Sequence, residues 1–280
     1  MTRVVAVANQ KGGVGKTTTT VNVAAWLADS GANVLVIDLD PQGNLTSTLG
    51  IDRAAVADSS YELLVGEADI AEVTLPEVRP GLDLIAARPD LAGAEVELAA
   101  LDRKESQLQR SMSAQAVYYD VIMIDCPPSL GLLTINALSA SSDVIIPIQC
   151  EYLALEGLMQ MTNSIDLVRR RINPDLEILG VVMTMFDART RLAADVVENV
   201  REHFSGHSFE AIIPRSVRLA EAPSYGQTIV EYAPDSSGAL AYRKLAHEVA
   251  ARLGLSDSIR EIDQSASSLE IETVSSGNGI

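Results

Sequence analysis

Lysine is scarce in this chain, 4 residues against 17 arginines, and the 21 basic side chains fall well short of 38 Asp and Glu. The resulting formal net charge of −17 repels a polyanion at long range, which argues against a surface uniformly built for nucleic acid. Cysteine is almost missing too: Cys126 and Cys150 are the whole complement. They form no Cys-x-x-Cys pair, so zinc or an iron–sulfur cluster held by this chain alone is disfavoured. Each follows an apolar run that reads as a buried strand, so both read as inert core thiols. Long hydrophobic runs are lacking as well. Runs such as 121–124 and 144–148 are strand-sized and far short of a membrane span. The N-terminus lacks the charged-then-apolar layout of a signal peptide, and a cytoplasmic location is expected. No Ser-His-Asp set or Cys-His pair stands out, and His203, His207 and His247 are assigned surface or packing duty.

What remains is a chain of 280 residues, 47% hydrophobic, long enough for one large α/β domain with a buried core. Strand-like runs at 4–8, 34–37, 82–86, 121–124, 144–148, 178–185 and 209–213 alternate with helical stretches at 17–30, 94–112, 154–171, 190–204 and 237–253. This alternation predicts a mostly parallel, twisted sheet with helices on both faces. The domain is expected over 1–255. Residues 256–280 are Ser-rich, with five acidic residues and one Arg, and are expected to be a disordered tail.

The decisive stretch is Asn9-Gln10-Lys11-Gly12-Gly13-Val14-Gly15-Lys16-Thr17-Thr18. It leaves the first strand and opens the first helix, the context that a phosphate loop needs. Glycines let backbone N–H groups turn inward on phosphate oxygens, and the helix N-terminus adds a favourable dipole. Lys16 is placed to reach β- and γ-phosphates and Thr17 to offer its hydroxyl to Mg²⁺. Two strands then end in carboxylates: 34–37 runs into Asp38 and Asp40, and 121–124 into Asp125. A carboxylate behind four buried apolar residues is costly without a cation or donor beside it, and Mg²⁺ reached through water supplies that partner for Asp125.

Gln10 replaces the first glycine of the ordinary phosphate-loop pattern, and Lys11 adds a second lysine. This K-G-G-x-G-K-T form resembles the deviant Walker motif of the ParA/MinD group of ATPases. The resemblance implies a P-loop NTPase fold, ATP and Mg²⁺ as cofactors, and a homodimer bridged by ATP. It assigns Lys11 to the partner subunit's phosphates, Asp40 to the attacking water and Asp38 to the Mg²⁺ shell.

The stretches 184–192 and 213–226, together with Asp38–Asn44 and Cys126–Leu130, resemble the ParA/Soj partitioning family over roughly the first 250 residues. No Asn follows the strand at Thr184-Met185, so base recognition falls to backbone groups near Met185, Pro214 and Arg215. The family resemblance further implies binding to double-stranded DNA without sequence preference. By position, Arg189 and Arg218 are assigned to phosphate contacts, with Arg191 and Arg215 as neighbours. Residues 51–110 hold 13 acidic and 6 basic side chains whereas 160–220 hold 8 of each, so the later region is the less hostile to DNA. A ParB-type centromere-binding protein is the implied partner and the nucleoid the implied place of action. The rival readings are a membrane-bound MinD-type ATPase, an iron–sulfur carrier and an ATPase that positions protein cargo. The acidic tail opposes the first, and the missing Cys-x-x-Cys opposes the second.

Overall fold

The computed structural model describes residues 2–112 and 118–255; the expected tail at 256–280 lies outside the described residues. β1 (Arg3–Val7) leads through the glycine loop into α1 (Lys16–Asp29), and β2 (Val34–Asp38) follows. All five residues of β2 are buried. Leu35 and Ile37 enter the core on one face of the sheet, while Val34 and Val36 enter the core on the other. Two covered faces explain why the strand reads as an unbroken apolar run rather than an alternating one.

After β2 come three short helices and an edge hairpin: α2 (Asn44–Thr48), α3 (Ser60–Val65), α4 (Ile70–Val73), β3 (Thr74–Arg79) and β4 (Leu82–Ile85). Capping boxes Ser59/Glu62 and Asp69/Glu72 start α3 and α4; each joins two orphan N–H groups to side chains. β3 is absent from the sequence reading. It carries Pro76 and lies antiparallel at the sheet edge, with its register shifted between Leu75 and Arg79. Proline is tolerated there because one side of an edge strand needs no ladder bonds.

The helix expected over 94–112 is two helices, α5 (Leu91–Ala100) and α6 (Gln107–Met112). Asn136 explains the break: its Nδ2 donates to Lys104 O at 2.7 Å, and its Oδ1 accepts from Leu108 N at 3.2 Å. A tertiary anchor here overrides helix propensity. β5 (Val121–Asp125), α7 (Leu132–Ala140), β6 (Asp143–Gln149), α8 (Ala154–Arg171), β7 (Glu177–Phe186), α9 (Arg191–His203) and β8 (Ser208–Pro214) continue the alternation. Helix α7 is missing from the sequence reading; its apolar residues show no clear one-sided stripe. The C-terminal part comprises α10 (Val217–Glu221), a 3₁₀ turn (Ala222–Tyr225), α11 (Ile229–Tyr232) and α12 (Ser237–Leu253).

The eight strands lie in the order β3-β4-β2-β5-β1-β6-β7-β8, all parallel except β3. Helices α1 and α12 cover one face through Val21, Leu27, Tyr242 and Leu245. α5, α7, α8 and α9 cover the other through Leu98, Leu133, Leu158 and Val196. Consecutive connections run one way from β1 to β2 and the other way from β5 to β6, so the chain reverses direction around β1. That switch point, outside the carboxyl ends of the strands, is where an open α/β sheet forms its crevice. Both cysteines are buried. Burial pushes the Cys126 thiol far above its usual range and raises that of Cys150 to about 11.

Candidate nucleotide site

The glycine loop is tied to its surroundings at several points before any ligand arrives. Asn9 Nδ2 donates to Pro147 O at 2.8 Å, and its Oδ1 accepts from Lys11 N at 2.9 Å. Gln10, the departure from the ordinary motif, donates from Nε2 to Ser164 Oγ on α8 at 3.0 Å. Thr184 Oγ1, at the end of β7, sits 2.8 Å from Val14 O. Gly13 and Gly15 take left-handed φ of 71° and 87°, which other residues adopt at a cost. Nothing lies within 4 Å of where a Gly13 side chain would begin, so the loop presents open backbone to the cavity.

Lys16 opens α1, largely buried, with Nζ 3.2 Å from Lys11 O. One N–H is thus used and two remain to be directed elsewhere. Burial lowers its pKa, opposed by the nearby Asp125. Thr17 Oγ1 donates to Asp125 Oδ2 at 2.7 Å, and Thr20 Oγ1 lies 3.3 Å from Asp125 Oδ1. The Thr17 hydroxyl gives its proton to Asp125, so its lone pairs are free to face the cavity that Thr17 lines.

Asp38 and Asp125 are register partners on neighbouring strands, and both are fully buried. Burial holds each carboxyl well above the ordinary range, and the charge of Asp38 adds to the effect on Asp125. Asp38 turns toward the segment that follows it: Oδ2 accepts from Thr46 Oγ1 at 2.6 Å and Thr46 N at 2.9 Å, and Oδ1 accepts from Asp40 N at 3.2 Å. Thr46 Oγ1 in turn accepts from Ala87 N at 3.0 Å. Asp40 lines the cavity and closes its own turn by accepting from Gln42 N at 2.9 Å.

Arg53 staples that turn from outside. Its guanidinium donates to Pro41 O at 2.7 Å, Gln42 O at 2.6 Å and Ala87 O at 3.0 Å. A side chain at Gly43 would collide with it, 2.1 Å from Arg53 Nε. Thr46, Arg53 and Thr184 carry no site role in the sequence reading. Their partners are remote along the chain, and no local pattern marks them.

Two cavities meet at Gly15, Thr18 and Met185. One, of about 410 Å³, is lined by Gly12, Lys16, Thr17, Asp40 and Pro128. The other, of about 270 Å³, is lined by Met185, Pro214, Arg215, Leu219 and Tyr242. The first is the polar, loop-lined end and the second the mainly apolar end. Met185 stands between them with φ of 52°, a left-handed backbone that costs a residue with a side chain on the order of 1–3 kcal/mol. The residues expected to recognise the base thus share one cavity, contiguous with the loop. Among the described residues no group of three or more His, Cys, Asp or Glu could hold a metal ion. The donors present, one hydroxyl backed by one carboxylate, suit a magnesium ion that completes its shell with phosphate and water.

The arginines expected to contact DNA lie apart from these cavities, except Arg215, which lines the smaller one. β7 and β8 are adjacent and parallel, with Phe186 paired to Pro214, so the segments bearing Arg189 and Arg218 leave the same edge of the sheet. Three of these exposed arginines already face an acid. Arg189 pairs with Asp187 at 2.6 Å, Arg191 with Asp195 at 4.0 Å and Arg218 with Glu221 at 3.1 Å. Lys11 faces Glu151 at 3.6 Å. Hydrogen bonds from Arg189 pull the Asp187 carboxyl down to about 2.

An open parallel sheet whose first strand feeds a glycine loop, with Lys16, Thr17 and Asp125 at the mouth of the next helix, defines a P-loop nucleoside triphosphatase. A family model described as an AAA domain matches residues 2–178. The sporulation initiation inhibitor protein Soj of Bacillus subtilis is 52% identical over 251 residues, covering 90% of this chain and 99% of that protein. The chromosome partitioning protein ParA of Myxococcus xanthus is 49% identical over 250 residues, covering 89% of this chain and 88% of that protein. A solved structure described as cobyrinic acid a,c-diamide synthase from Mycobacterium smegmatis, with bound ATP analogue and magnesium, is 40% identical with a TM-score of 0.78. It covers 88% of this chain and 93% of its own. The chain belongs to the ParA/Soj family of partitioning ATPases.

Proposed function

We propose that the chain is an ATP-switched partitioning ATPase. In this reading it forms an ATP-bridged homodimer, binds double-stranded DNA without sequence preference in that state, and leaves DNA when a ParB-type centromere-binding partner stimulates hydrolysis. One observation carries the reading: Lys16 and Thr17, the latter hydrogen-bonded to the buried Asp125, line the same cavity as Asp40. A triphosphate seated there brings the reactive phosphoryl group, and Mg²⁺ neutralises part of its charge. Lys16 supplies fixed positive charge to the β- and γ-phosphates, and backbone N–H groups of 12–18 donate to their oxygens. Thr17, oriented by Asp125, offers an oxygen to Mg²⁺. Asp40 orients the attacking water, and Asp38 holds Asp40 and Thr46 in place. Met185, Pro214 and Arg215 enclose the base.

The Lys11 side chain is exposed and paired with Glu151, a surface pair of the kind worth about 0–1 kcal/mol. It is therefore free to swing to a partner subunit's phosphates. Dimerisation doubles the arginine-bearing edge, and each phosphate neutralised there adds counterion release. No helix among the described residues is long and apolar enough to cross a membrane, and action at the nucleoid follows from DNA binding.

The test is binding to random duplex DNA in ATP, in ADP and without nucleotide, over a salt series. ATP-only binding that weakens with salt supports the reading; dimers that ignore DNA overturn its DNA part. Asp40→Ala is expected to leave a persistent dimer in ATP by light scattering, and a monomer would refute the role given to Asp40.

A further inference from the structure

The segment that bears Arg218 touches the segment that follows Asp40 through backbone at Gly50 and Gly226. Gly50, just past α2, and Gly226, which ends the 3₁₀ turn, both take left-handed φ, 78° and 64°. They pack so closely that a Cβ on Gly226 would stand 2.9 Å from Gly50 Cα. Arg79, at the end of β3, clips the same junction. Its Nη2 donates to Gly226 O at 2.7 Å, its Nη1 lies 3.4 Å from Leu49 O, and its Nε lies 2.6 Å from Glu231 Oε1. Glu231 also caps α11 by accepting from Thr228 N at 2.8 Å. On α11, the Tyr232 hydroxyl donates to Glu221 Oε2 at 3.0 Å, the oxygen that also accepts from Arg218 at 3.1 Å. Tyr225 of the turn stacks on Tyr232 with centroids 5.1 Å apart.

A continuous chain of contacts thus runs from Asp38 and Thr46 on α2, through Gly50, Gly226 and Arg79, to the carboxylate that positions Arg218. The base-side cavity also touches α10, through Leu219 and Ala220. That contact is common to ATP and ADP, so it cannot report the γ-phosphate. The contact through α2 can, because α2 hangs from Asp38 and the Asp40 turn.

We propose that the Gly50–Gly226 contact and the Arg79 clip are the positioning device by which the triphosphate state of the site sets the Arg218 segment. The inference rests on the reading of this chain as an ATP switch whose Arg218 edge meets DNA. A side chain at Gly226 would hold the two segments apart, and Arg79 keeps them in register as α2 moves. A ligand shifts such an element only by contacting its two states differently, and the γ-phosphate beside Asp40 is where ATP and ADP differ.

The experiment is amide hydrogen exchange of the full chain without DNA, in a non-hydrolysable ATP analogue with Mg²⁺ and in ADP with Mg²⁺. Wild type is expected to show a difference between the two nucleotides in 217–226. Gly226→Ala and Arg79→Gln should lose that difference while keeping it around α2, and their DNA affinity in ATP should fall at least tenfold. Gly66→Ala is the control: Gly66 has φ of 80° but nothing within 4 Å of an added Cβ. It carries the same backbone strain without the contact and should behave as wild type. If 217–226 responds to the triphosphate in Gly226→Ala and Arg79→Gln as it does in wild type, the device is overturned. A wild-type chain that shows the exchange difference yet ignores DNA overturns the DNA reading and leaves the device standing. One that binds DNA only in ATP without the exchange difference overturns the device alone.

Discussion

The two working ends of this molecule are built on opposite terms. At the nucleotide end polar groups are buried, and each reaches a partner inside the protein: Asp125 on Thr17, Asp38 on Thr46, Asn9 on Pro147. At the arginine-bearing edge the charges are exposed, and Arg189, Arg191 and Arg218 are each met by a nearby acid. A buried carboxylate without its donor is expensive, so the first end is rigidly specified. An exposed ion pair is worth little, so the second end exchanges partners at small cost. Under the proposed DNA-binding function, self-neutralised arginines would let an acidic chain hold a latent anion-binding edge, since phosphate would have only to displace weakly held carboxylates.

Breaking the buried end should give the largest effects. Lys16→Ala is expected to weaken ATP binding by roughly 100-fold or more, because truncating a buried, hydrogen-bonded charge costs several kcal/mol; calorimetric titration measures it. Thr46→Val leaves Asp38 short of a donor and should destabilise the nucleotide-free protein by about 1–3 kcal/mol in denaturant unfolding. At the exposed edge the effects are smaller. Arg218→Glu should weaken DNA binding in ATP about tenfold and lower the slope of log affinity against log salt by about 1, leaving ATP affinity unchanged.

The carboxylates also give the buried end a pH signature. Asp125 has a folded-state pKa raised well above its ordinary 3.8, so the folded protein holds this proton more tightly than the unfolded chain does. Its contribution to stability is therefore greatest below the unfolded value and declines as pH rises through the raised folded value. In Mg²⁺-free buffer Asp125→Asn should gain stability relative to wild type as pH increases over that window; a constant difference would contradict the burial argument. The smallest expected effect sharpens the comparison most. Asp187→Asn frees Arg189 from its acid and should raise DNA affinity in ATP by about threefold, within what a surface pair is worth.

Legibility in the sequence divides along the same line. The phosphate loop, Asp38, Asp40 and Asp125 were readable because buried strand ends and left-handed turns admit few residue types, and those types recur in a fixed order. Arg53, Thr46 and Arg79 were not readable, since their partners lie on other segments and an arginine or threonine fits many surfaces. The same reason hides the edge strand β3, whose Pro76 opposes a strand reading, and the break between α5 and α6, which Asn136 imposes from α7. The arginine edge was found only through resemblance to a family: nothing in the local pattern around Arg189 or Arg218 separates a DNA contact from an ordinary solvated side chain.

The burial of the two cysteines has a practical side. With the Cys126 and Cys150 thiols enclosed and held in their protonated form at neutral pH, neither is a competent nucleophile toward maleimides. A cysteine introduced at an exposed position such as Val96 would carry a fluorophore selectively on the otherwise native chain. Dye-labelled protein could then be followed on single DNA molecules without first stripping out its natural thiols.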